Sequence, residues 1–490
     1  MPAVRSQEAG AFFLKCWNRM ALQGSYICKP WIKGLNFMCE LSVRPFAGRI
    51  FFVLALCVFL CGNAYARSDK GGTIREAAGI TAEDIEAASV KEELSLFDLY
   101  ALAVENTERL AIEEEFKKQA EAGYDRARGA WFPRISIRGS TGSRETTAGD
   151  REISTEVNLY ARQNIITGLD ELSGIRGGAA SVRQQHLRLR QATREYLYDI
   201  AYLYFRVVSI EKRLDNRRTI LSHYRTLSGE LERRVGLGRT RRSELLRANS
   251  RISRLEAEII ALEKELSGAR LSLFSLSGVD KDTVLIYPRE ISQPENFISE
   301  KTSYYVERRY DILALKEGVS VADAGLLAAR GGRLPNVYLE GSYPLYDSGP
   351  GSRGYYAGIG AEFPLFSGGM VSARIREKES VLRQAELRLS EKRRHAAVEI
   401  MEAEEAYLKG AASVDSFKKS LDAIEENYRL ILNDYRHNLV SLIDLIDALT
   451  LLEEARDDYE RSVLEKRLAR IRLAVASGEL AEEGIGLLRD

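Results

Sequence analysis

The sequence predicts a mainly α-helical fold with a small β part, built as two tandem structural repeats of long antiparallel coiled-coil helices with a two-stranded hairpin in each. The motif A-G-x-x-x-A-R-G-x-x-x-P-x-x-x-x-x-G-S begins at Ala122 and again at Ala324. A recurrence about 200 residues apart indicates two copies of one structural half. Each copy passes from an Ala-rich helical pattern, through Gly and Pro, into residues that alternate at period two, which is typical of a helix followed by a strand. After each hairpin comes an unbroken helical pattern of about 65 residues, equivalent to roughly 100 Å of helix.

The composition argues against several classes of function. The 490 residues contain 71 Lys and Arg against 71 Asp and Glu, so no nucleic-acid partner is indicated. Charged residues make up 29% and hydrophobic residues 45%, which suits long solvated helices better than one thick core. The sequence has no phosphate-binding loop, nucleophile elbow or metal-binding helix motif, and its histidines lack metal-ligand spacing. These histidines are His186, His223, His395 and His437. We therefore expect no enzyme activity, no cofactor and no metal.

Residues 1–66 have the layout of an extension followed by a secretory signal peptide. Residues 50–61 form an apolar run of about a dozen residues, too short to span a membrane as a helix. Basic residues precede this run and A-Y-A follows it, which predicts cleavage after Ala66. Met38 would give a signal of ordinary length. A lipoprotein attached through Cys61 is a weaker alternative, because a bulky leucine stands where a small residue is wanted. All five cysteines lie before residue 62, so the exported chain is expected to have no disulfides.

The remaining chain divides at changes in periodicity. The predicted domains are a flexible N-terminal arm (67–93), repeat 1 (94–278), a linker (279–300), repeat 2 (301–478) and a C-terminal tail (479–490). In each repeat the order is helix, hairpin, long helix, tip turn and shorter helix. The hairpins are predicted at 133–166 and 335–366 and the tip turns at 235–243 and 435–443. Pro133 and Pro335 mark the two helix–strand junctions, because proline ends a helix and permits the first position of a strand.

Both hairpins have one apolar and one polar face. In the first strand Ile135 and Ile137 point to one side, and Arg134, Ser136 and Arg138 point to the other. This alternation is typical of outer-membrane barrel strands, and also of a soluble sheet lying on a helix. Charged residues would be costly in the dry core of the second arrangement, which favours the first. Four strands are too few to close a barrel and open edges are not tolerated in lipid, so membrane-spanning strands would require an oligomer.

The sequence resembles the TolC-type outer-membrane efflux proteins (outer membrane factors) over nearly all of residues 94–478. The resemblance lies in the order of the A-R-G-x-x-x-P junctions, the strand exits N-I-I-T-G from Asn164 and P-L-F-S-G from Pro364, and the two helix breaks. It implies a homotrimer in which four strands from each chain form a 12-stranded β-barrel, continued by an α-helical tunnel across the periplasm.

The same resemblance implies a function. It indicates an outer-membrane exit duct of a tripartite efflux or type I secretion system, a passive channel that extends into the periplasm. The implied partners are a periplasmic adaptor (membrane fusion) protein, an inner-membrane pump or ABC transporter, and outer-membrane lipid. The alternative is a periplasmic coiled-coil structural scaffold without channel activity.

The two tip turns carry the candidate site residues. Aligning the helix breaks, about 200 residues apart, places Gly238 opposite Asn438. Both residue types tolerate the left-handed conformation of a tight helix–helix turn. The resemblance assigns adaptor docking to the residues around these turns. They are Val235, Gly236, Leu237, Gly238, Thr240, Asn438 and Leu439.

Asp444 and Asp447 interrupt an otherwise apolar run and share one helix face at spacing i, i+3. Because carboxylates against apolar packing would be costly, we expect both to face water. An ordinary solvated stripe on a helix would give the same pattern. The resemblance implies instead a selectivity ring of acids at the periplasmic aperture, the narrowest point of the tunnel, where it would favour cations.

The resemblance also implies polar links that hold the tip closed, formed by an acid, a tyrosine and an arginine. The acid position carries Glu244 and the tyrosine position carries Tyr435. The arginine position carries Val440, a departure from the family pattern. The arginines that could substitute for it are Arg239, Arg241 and Arg242.

Overall fold

The computed structural model describes residues 73–145, 151–287, 301–347, 354–437 and 439–478. Within these ranges the chain forms ten helices and six strands. The predicted signal peptide, Asn438, most of the linker and the C-terminal tail lie outside the described residues.

Residues 73–93, which lie in the predicted N-terminal arm, contain two short helices. These are α1 (Thr73–Ala78) and α2 (Ala82–Ser89). Helix α2 begins with a capping box, in which Thr81 and Asp84 each accept the other's backbone N–H. Ala78 and Ile80 are buried in the main core of the protein. The sequence analysis did not predict these helices, because capping and tertiary burial form them in a segment whose average composition is polar.

A short parallel ladder ties the end of this segment to the linker. Strand β1 (Glu93–Leu94) pairs with β4 (Val284–Leu285), with Leu94 opposite Leu285. Leu94 is buried, and its carbonyl also accepts the backbone N–H of Ile286 at 3.0 Å. A ladder of two residues leaves no periodic pattern, so the sequence does not predict it.

Each repeat begins with two helices where the sequence predicts one. Their bounds are α3 (Leu96–Asn106), α4 (Glu108–Gly129), α7 (Thr302–Arg308) and α8 (Tyr310–Gly331). The breaks fall at Thr107 and Arg309, whose backbones are extended. Neither residue is Gly or Pro, so neither break carries a local signal in the sequence.

The two long helices match their predicted lengths. Helices α5 (Asp170–Gly236) and α9 (Met370–Arg436) each have 67 residues, which corresponds to about 100 Å. Each turns back into a helix of 36 residues, α6 (Arg242–Ser277) after α5 and α10 (Leu442–Ser477) after α9. Across the described part of the chain, no helix combines the length and the apolar character needed to cross a membrane.

The main core lies where α3 and α6 pack against the middle of α5. Tyr100, Tyr196 and Tyr204 are fully buried there. Their hydroxyl groups donate hydrogen bonds to backbone carbonyls, as from Tyr196 to Leu276 at 2.7 Å. The rings therefore fill the space between helices without leaving a buried hydroxyl unpaired.

The two hairpins combine into one antiparallel sheet in the order β2-β3-β5-β6. The strands are β2 (Arg134–Glu145), β3 (Arg151–Thr167), β5 (Asn336–Asp347) and β6 (Tyr356–Glu362). Pairing of β3 with β5 joins the two repeats. The register sets Ile135 opposite Ala161, Leu159 opposite Tyr343 and Leu339 opposite Ile359. One face of the sheet is therefore apolar across all four strands.

Neither face of this sheet is covered by the described helices of the chain. No described side chain of the four strands is buried. On the apolar face Ile137 is 67% exposed and Ile359 is 73% exposed. The alternative of a soluble sheet lying on its own helices does not describe this fold.

Candidate functional site

The two predicted tip turns lie together although they are far apart in sequence. The ends of α5 and α9 and the starts of α6 and α10 share one apolar cluster, here named the tip core. Its buried members include Tyr224, Leu231, Ala248, Leu255, Tyr435, Leu442, Leu445 and Leu449. Packing between the repeats thus brings both turns to the same end of the helices.

The turn after α5 is a Schellman motif. Gly238 has φ of +67°, and its N–H donates to the Val235 carbonyl at 2.9 Å. The N–H of Arg239 donates to the Arg234 carbonyl at 2.9 Å. These two bonds satisfy carbonyls at the end of α5, and the positive φ explains why glycine stands here.

The turn after α9 shares one of these two bonds among its described residues. The N–H of Leu439 donates to the Asp434 carbonyl at 2.9 Å, the equivalent of the bond made by Arg239. Leu237 in the first turn is 69% exposed and Leu439 in the second is 72% exposed. Gly236 and Gly238 are exposed as well, whereas Val235 and Thr240 are half-buried. The tip therefore presents a leucine to solvent from each repeat.

Asp444 and Asp447 both face water, as their spacing predicts. Between and beside them Leu442, Leu445 and Ala448 are buried, so the carboxylates lie on the opposite side of α10 from the tip core. Among the described residues, no basic side-chain nitrogen lies within 4.0 Å of the Asp447 carboxylate. Its charge is therefore open to solvent and to ions.

Asp444 has a local structural role that our sequence interpretation missed. Ser441 and Asp444 form the capping box of α10: the Ser441 N–H and hydroxyl donate to the Asp444 carboxylate at 2.8 and 2.6 Å. These hydrogen bonds hold the pKa of Asp444 below its usual value. The spacing S-x-x-D before an apolar run is the signal that would have identified the cap. The first repeat has Arg241 at the position of Ser441 and no side-chain cap.

Tyr435 lies in the tip core and is only 7% exposed. Burial raises the pKa of Tyr435, the positive charge of Arg234 opposes this increase, and the negative charge of Glu244 adds to it. The guanidinium carbon of Arg234 is 5.4 Å from the centre of the Tyr435 ring, within the range of a cation–π interaction. Tyr435 is thus within electrostatic range of both Arg234 and Glu244.

That arginine is not among the three substitutes that the sequence suggested. Arg239, Arg241 and Arg242 are exposed, and Arg234 from the last turn of α5 occupies the place beside Tyr435. Val440, at the family's arginine position, packs against the tip core instead. Sequence alignment of the two turns does not reveal this contact, because Arg234 approaches Tyr435 from the other repeat.

The helix–strand junctions lie where the sequence predicts them. Pro133 directly precedes β2 and follows the end of α4, and Pro335 directly precedes β5 and follows the end of α8. Each proline therefore stands at the change from helical to extended backbone.

The described chain has two long helical hairpins that share a tip, and a four-stranded sheet whose faces are uncovered. This architecture is typical of outer-membrane efflux channels. A family model described as outer membrane efflux protein matches residues 99–279 and 304–479, and the chain belongs to this family. The resemblance inferred from the sequence is confirmed. The protein is located in the outer membrane and extends into the periplasm, and its family consists of channels rather than enzymes.

Individual relatives are distant in sequence but similar in fold. The outer membrane efflux protein BepC of Brucella suis biovar 1 is 22% identical over 372 residues, which cover 74% of this chain and 80% of BepC. The outer membrane channel CmeC of Campylobacter jejuni has a TM-score of 0.70 at 16% identity, covering 80% of this chain and 87% of CmeC. The outer membrane protein VceC of Vibrio cholerae has a TM-score of 0.69 at 16% identity, covering 78% of this chain and 96% of VceC.

Proposed function

We propose that three copies of this chain form the exit duct of a tripartite efflux or type I secretion system, a passive channel opened by an adaptor and an inner-membrane pump. The observation that carries the proposal is the four-stranded sheet, whose apolar and charged faces are both uncovered by the described part of the chain. Exposure of a continuous apolar face to water is unfavourable, so this face requires another apolar surface. Contact of the apolar face with lipid and of the charged face with water gives each face a favourable environment.

The edges of the sheet support an oligomer. Strands β2 and β6 are the outer strands of the described sheet, and each has a row of backbone groups without a partner in that sheet. In lipid these backbone groups must form hydrogen bonds within the protein. Pairing of β6 in one copy with β2 in the next would provide those bonds. Family resemblance supplies the number three, so that four strands from each copy close a barrel of twelve.

The acidic residues at the tip support a cation-selective aperture. Asp444 and Asp447 are exposed on one side of α10, close to the turn between α9 and α10. In a trimer they provide six carboxylates, two from each copy, around one axis. Such a ring attracts cations and can bind a blocking multivalent cation.

Contacts around Tyr435 support a gate at the same end. Glu244 and Arg234 belong to the first repeat and Tyr435 to the second, so they connect the two helical hairpins of one copy. Separation of these hairpins would open the tip. The exposed Leu237 and Leu439 offer an adaptor an apolar contact in each repeat.

The test combines localisation, assembly and conductance. The full-length protein is expected to fractionate with the outer membrane, to migrate as a trimer in mild detergent and to conduct ions in planar bilayers. A chain that assembles in the periplasmic fraction and never conducts would be the coiled-coil scaffold instead. A water-soluble monomer would contradict both the barrel and the duct.

A further inference from the structure

Three arginines lie close together on the polar face of the sheet, near the strand ends that adjoin the helices. Arg134 is directly opposite Arg162 across β2 and β3, and Arg138 follows on the same face of β2. Together with neighbouring residues of β2 and β3 and of the turn before β2, they line a cavity of about 380 Å³. We name Arg134, Arg138 and Arg162 the arginine cluster.

Two of these guanidinium groups lie over aromatic rings. The Cζ atom of Arg138 is 4.1 Å from the centre of the Tyr160 ring, and that of Arg162 is 3.8 Å from the centre of the Tyr338 ring. Stacking orients a planar guanidinium while the N–H donors along its edge remain available. A guanidinium oriented in this way can bind a carboxylate or phosphate through two parallel hydrogen bonds.

The arginine cluster is short of negative partners. No described carboxylate oxygen lies within 4.0 Å of its nitrogen atoms. Glu340 is the one carboxylate directly opposite a member of the cluster in the described register, where it faces Arg162, and it also accepts a hydrogen bond from the Tyr160 hydroxyl at 2.8 Å. Like charges directly opposite each other disfavour strand pairing, as between Arg134 and Arg162. An anion between these two arginines would lessen their repulsion.

We propose that the arginine cluster binds the carboxylate or phosphate groups of anionic cargo, so that the sheet end of the duct favours anions. This inference rests on the proposed function, because the polar face lines a passage only if the copies close into a barrel. Three copies would place nine arginines, three from each, around that passage. Helix α5 separates them from the tip carboxylates by about 100 Å, so the two charged zones act independently across the Debye length of physiological salt.

The test uses the full-length trimer in bilayers of zwitterionic phosphatidylcholine, which contribute no anionic headgroups. Asp444→Asn and Asp447→Asn are combined as the background, so that the tip no longer favours cations. In a KCl gradient this background is expected to prefer chloride over potassium, and inorganic pyrophosphate is expected to block it. The triple change Arg134→Gln, Arg138→Gln and Arg162→Gln should bring the chloride-to-potassium permeability ratio to about one and weaken the pyrophosphate block about tenfold or more.

Two further variants separate charge from geometry. The corresponding triple change to Lys should keep the preference for chloride but weaken pyrophosphate block, because an ammonium group lacks the planar fork of Arg. Arg218→Gln is the matched control. Arg218 pairs with Glu263 between α5 and α6, away from the sheet, and its loss should change neither property.

The outcomes distinguish the two proposals. Gln and Lys variants that assemble as trimers, conduct and retain the ion preference and pyrophosphate block of the background would overturn the inference alone. If the Gln triple variant does not assemble, the Lys triple variant tests the inference. Weakened pyrophosphate block would support the arginine cluster as the binding site, and unchanged block would overturn it. A wild-type chain that forms trimers without conductance would overturn the proposed function, and the inference with it.

Discussion

Asp444 caps α10, and in the proposed duct it also contributes to the acidic ring at the tip. Substitutions at single residues can separate these two roles. The Asp444 carboxylate caps α10 through Ser441, whereas Asp447 has no part in the cap. Combined Asp444→Asn and Asp447→Asn should abolish cation preference and block by multivalent cations, because the ring loses its charge. The amide oxygen introduced by Asp444→Asn can still accept the cap hydrogen bonds, so the helix start is preserved. Reversal potentials in planar bilayers measure the loss of preference.

Ser441→Ala is the control for the cap. It should cost about 1 kcal/mol of stability, since one capping side chain is lost. It should leave cation preference intact because both carboxylates remain. If the double Asn variant kept the wild-type ion preference, the carboxylates would not line the aperture.

Arg234 is the residue at the tip that we expect to influence gating. Replacement by Ala removes the cation–π contact with Tyr435 and the positive charge that acts on its hydroxyl group. A contact of this kind contributes about 0.5–1 kcal/mol, so the closed-to-open equilibrium should shift about two- to fivefold per copy. Open probability in bilayers measures the shift, and susceptibility of cells to exported antibiotics gives a second readout.

Arg233→Ala is the matched control, because Arg233 is exposed and bonds to Gly229 in its own helix. Equal open probabilities in the two variants would argue against the gate.

At the scale of elements, the junction between sheet and helices depends on a close crossing of two backbones. Gly168 follows β3 and has φ of +64°, and a Cβ there would overlap the Gly331 carbonyl oxygen. A Cβ on Gly331, at the end of α8, would lie 2.6 Å from the Leu169 backbone nitrogen. Gly331→Ala should therefore destabilise the protein by about 1–3 kcal/mol through overpacking.

Thermal melting of the helical circular dichroism signal measures this effect. Gly325→Ala on the same helix is the control, because nothing lies within 4 Å of its added Cβ. Alanine also favours a helix interior over glycine, by about 1 kcal/mol. A Gly331→Ala melting temperature equal to that of Gly325→Ala would mean that the crossing relaxes freely.

A buried ionic group connects the break between α7 and α8 with α9. Arg309 donates to Asp311 at 2.7 and 3.0 Å and to Glu399 at 2.6 Å, and Lys392 lies 3.3 Å from Asp311. Burial alone would raise the pKa of Asp311, but the hydrogen bonds from Arg309 and the charges of Arg309 and Lys392 outweigh it and lower the pKa. Asp311 therefore contributes stability that is present above its unfolded pKa of about 4 and is lost as the pH falls through its lower folded pKa.

Asp311→Asn should accordingly cost about 3 kcal/mol at neutral pH, because it leaves a buried arginine with one partner fewer. The difference from wild type should shrink as the pH falls below about 4. Melting temperatures over this pH range test the prediction, with Asp323→Asn, an exposed acid on the same helix, as control. A difference that stays constant with pH would falsify the role assigned to this carboxylate.

At the scale of the whole molecule, the proposed trimer requires β6 of one copy to pair with β2 of the next. The five native cysteines all precede residue 62, so they can be replaced by serine without touching either strand. Thr141→Cys on β2, combined in turn with Ala357→Cys, Ile359→Cys or Ala361→Cys on β6, should give disulfide-linked dimers and trimers on denaturing gels. The same face of the sheet carries all four positions. Thr141→Cys alone is the control, and monomers from all three pairs would contradict the strand pairing.

Sequence periodicity and turn chemistry determined the elements of this protein. The duplicated motif indicated two repeats. Local rules predicted the junctions at Pro133 and Pro335, the two long helices and the exposure of Asp444 and Asp447, because neighbouring residues determine the period of a helix or strand. Ser441 could have been recognised as a cap from the same kind of evidence.

Only the tertiary structure decided which of these elements meet. Four features have no local pattern in the sequence. They are the pairing of β3 with β5, the ladder between β1 and β4, the breaks at Thr107 and Arg309, and the approach of Arg234 to Tyr435. Each depends on residues far apart in the chain, whose contacts arise from the packing of one repeat on the other. The local sequence thus specified the parts, and burial between the two repeats specified their arrangement.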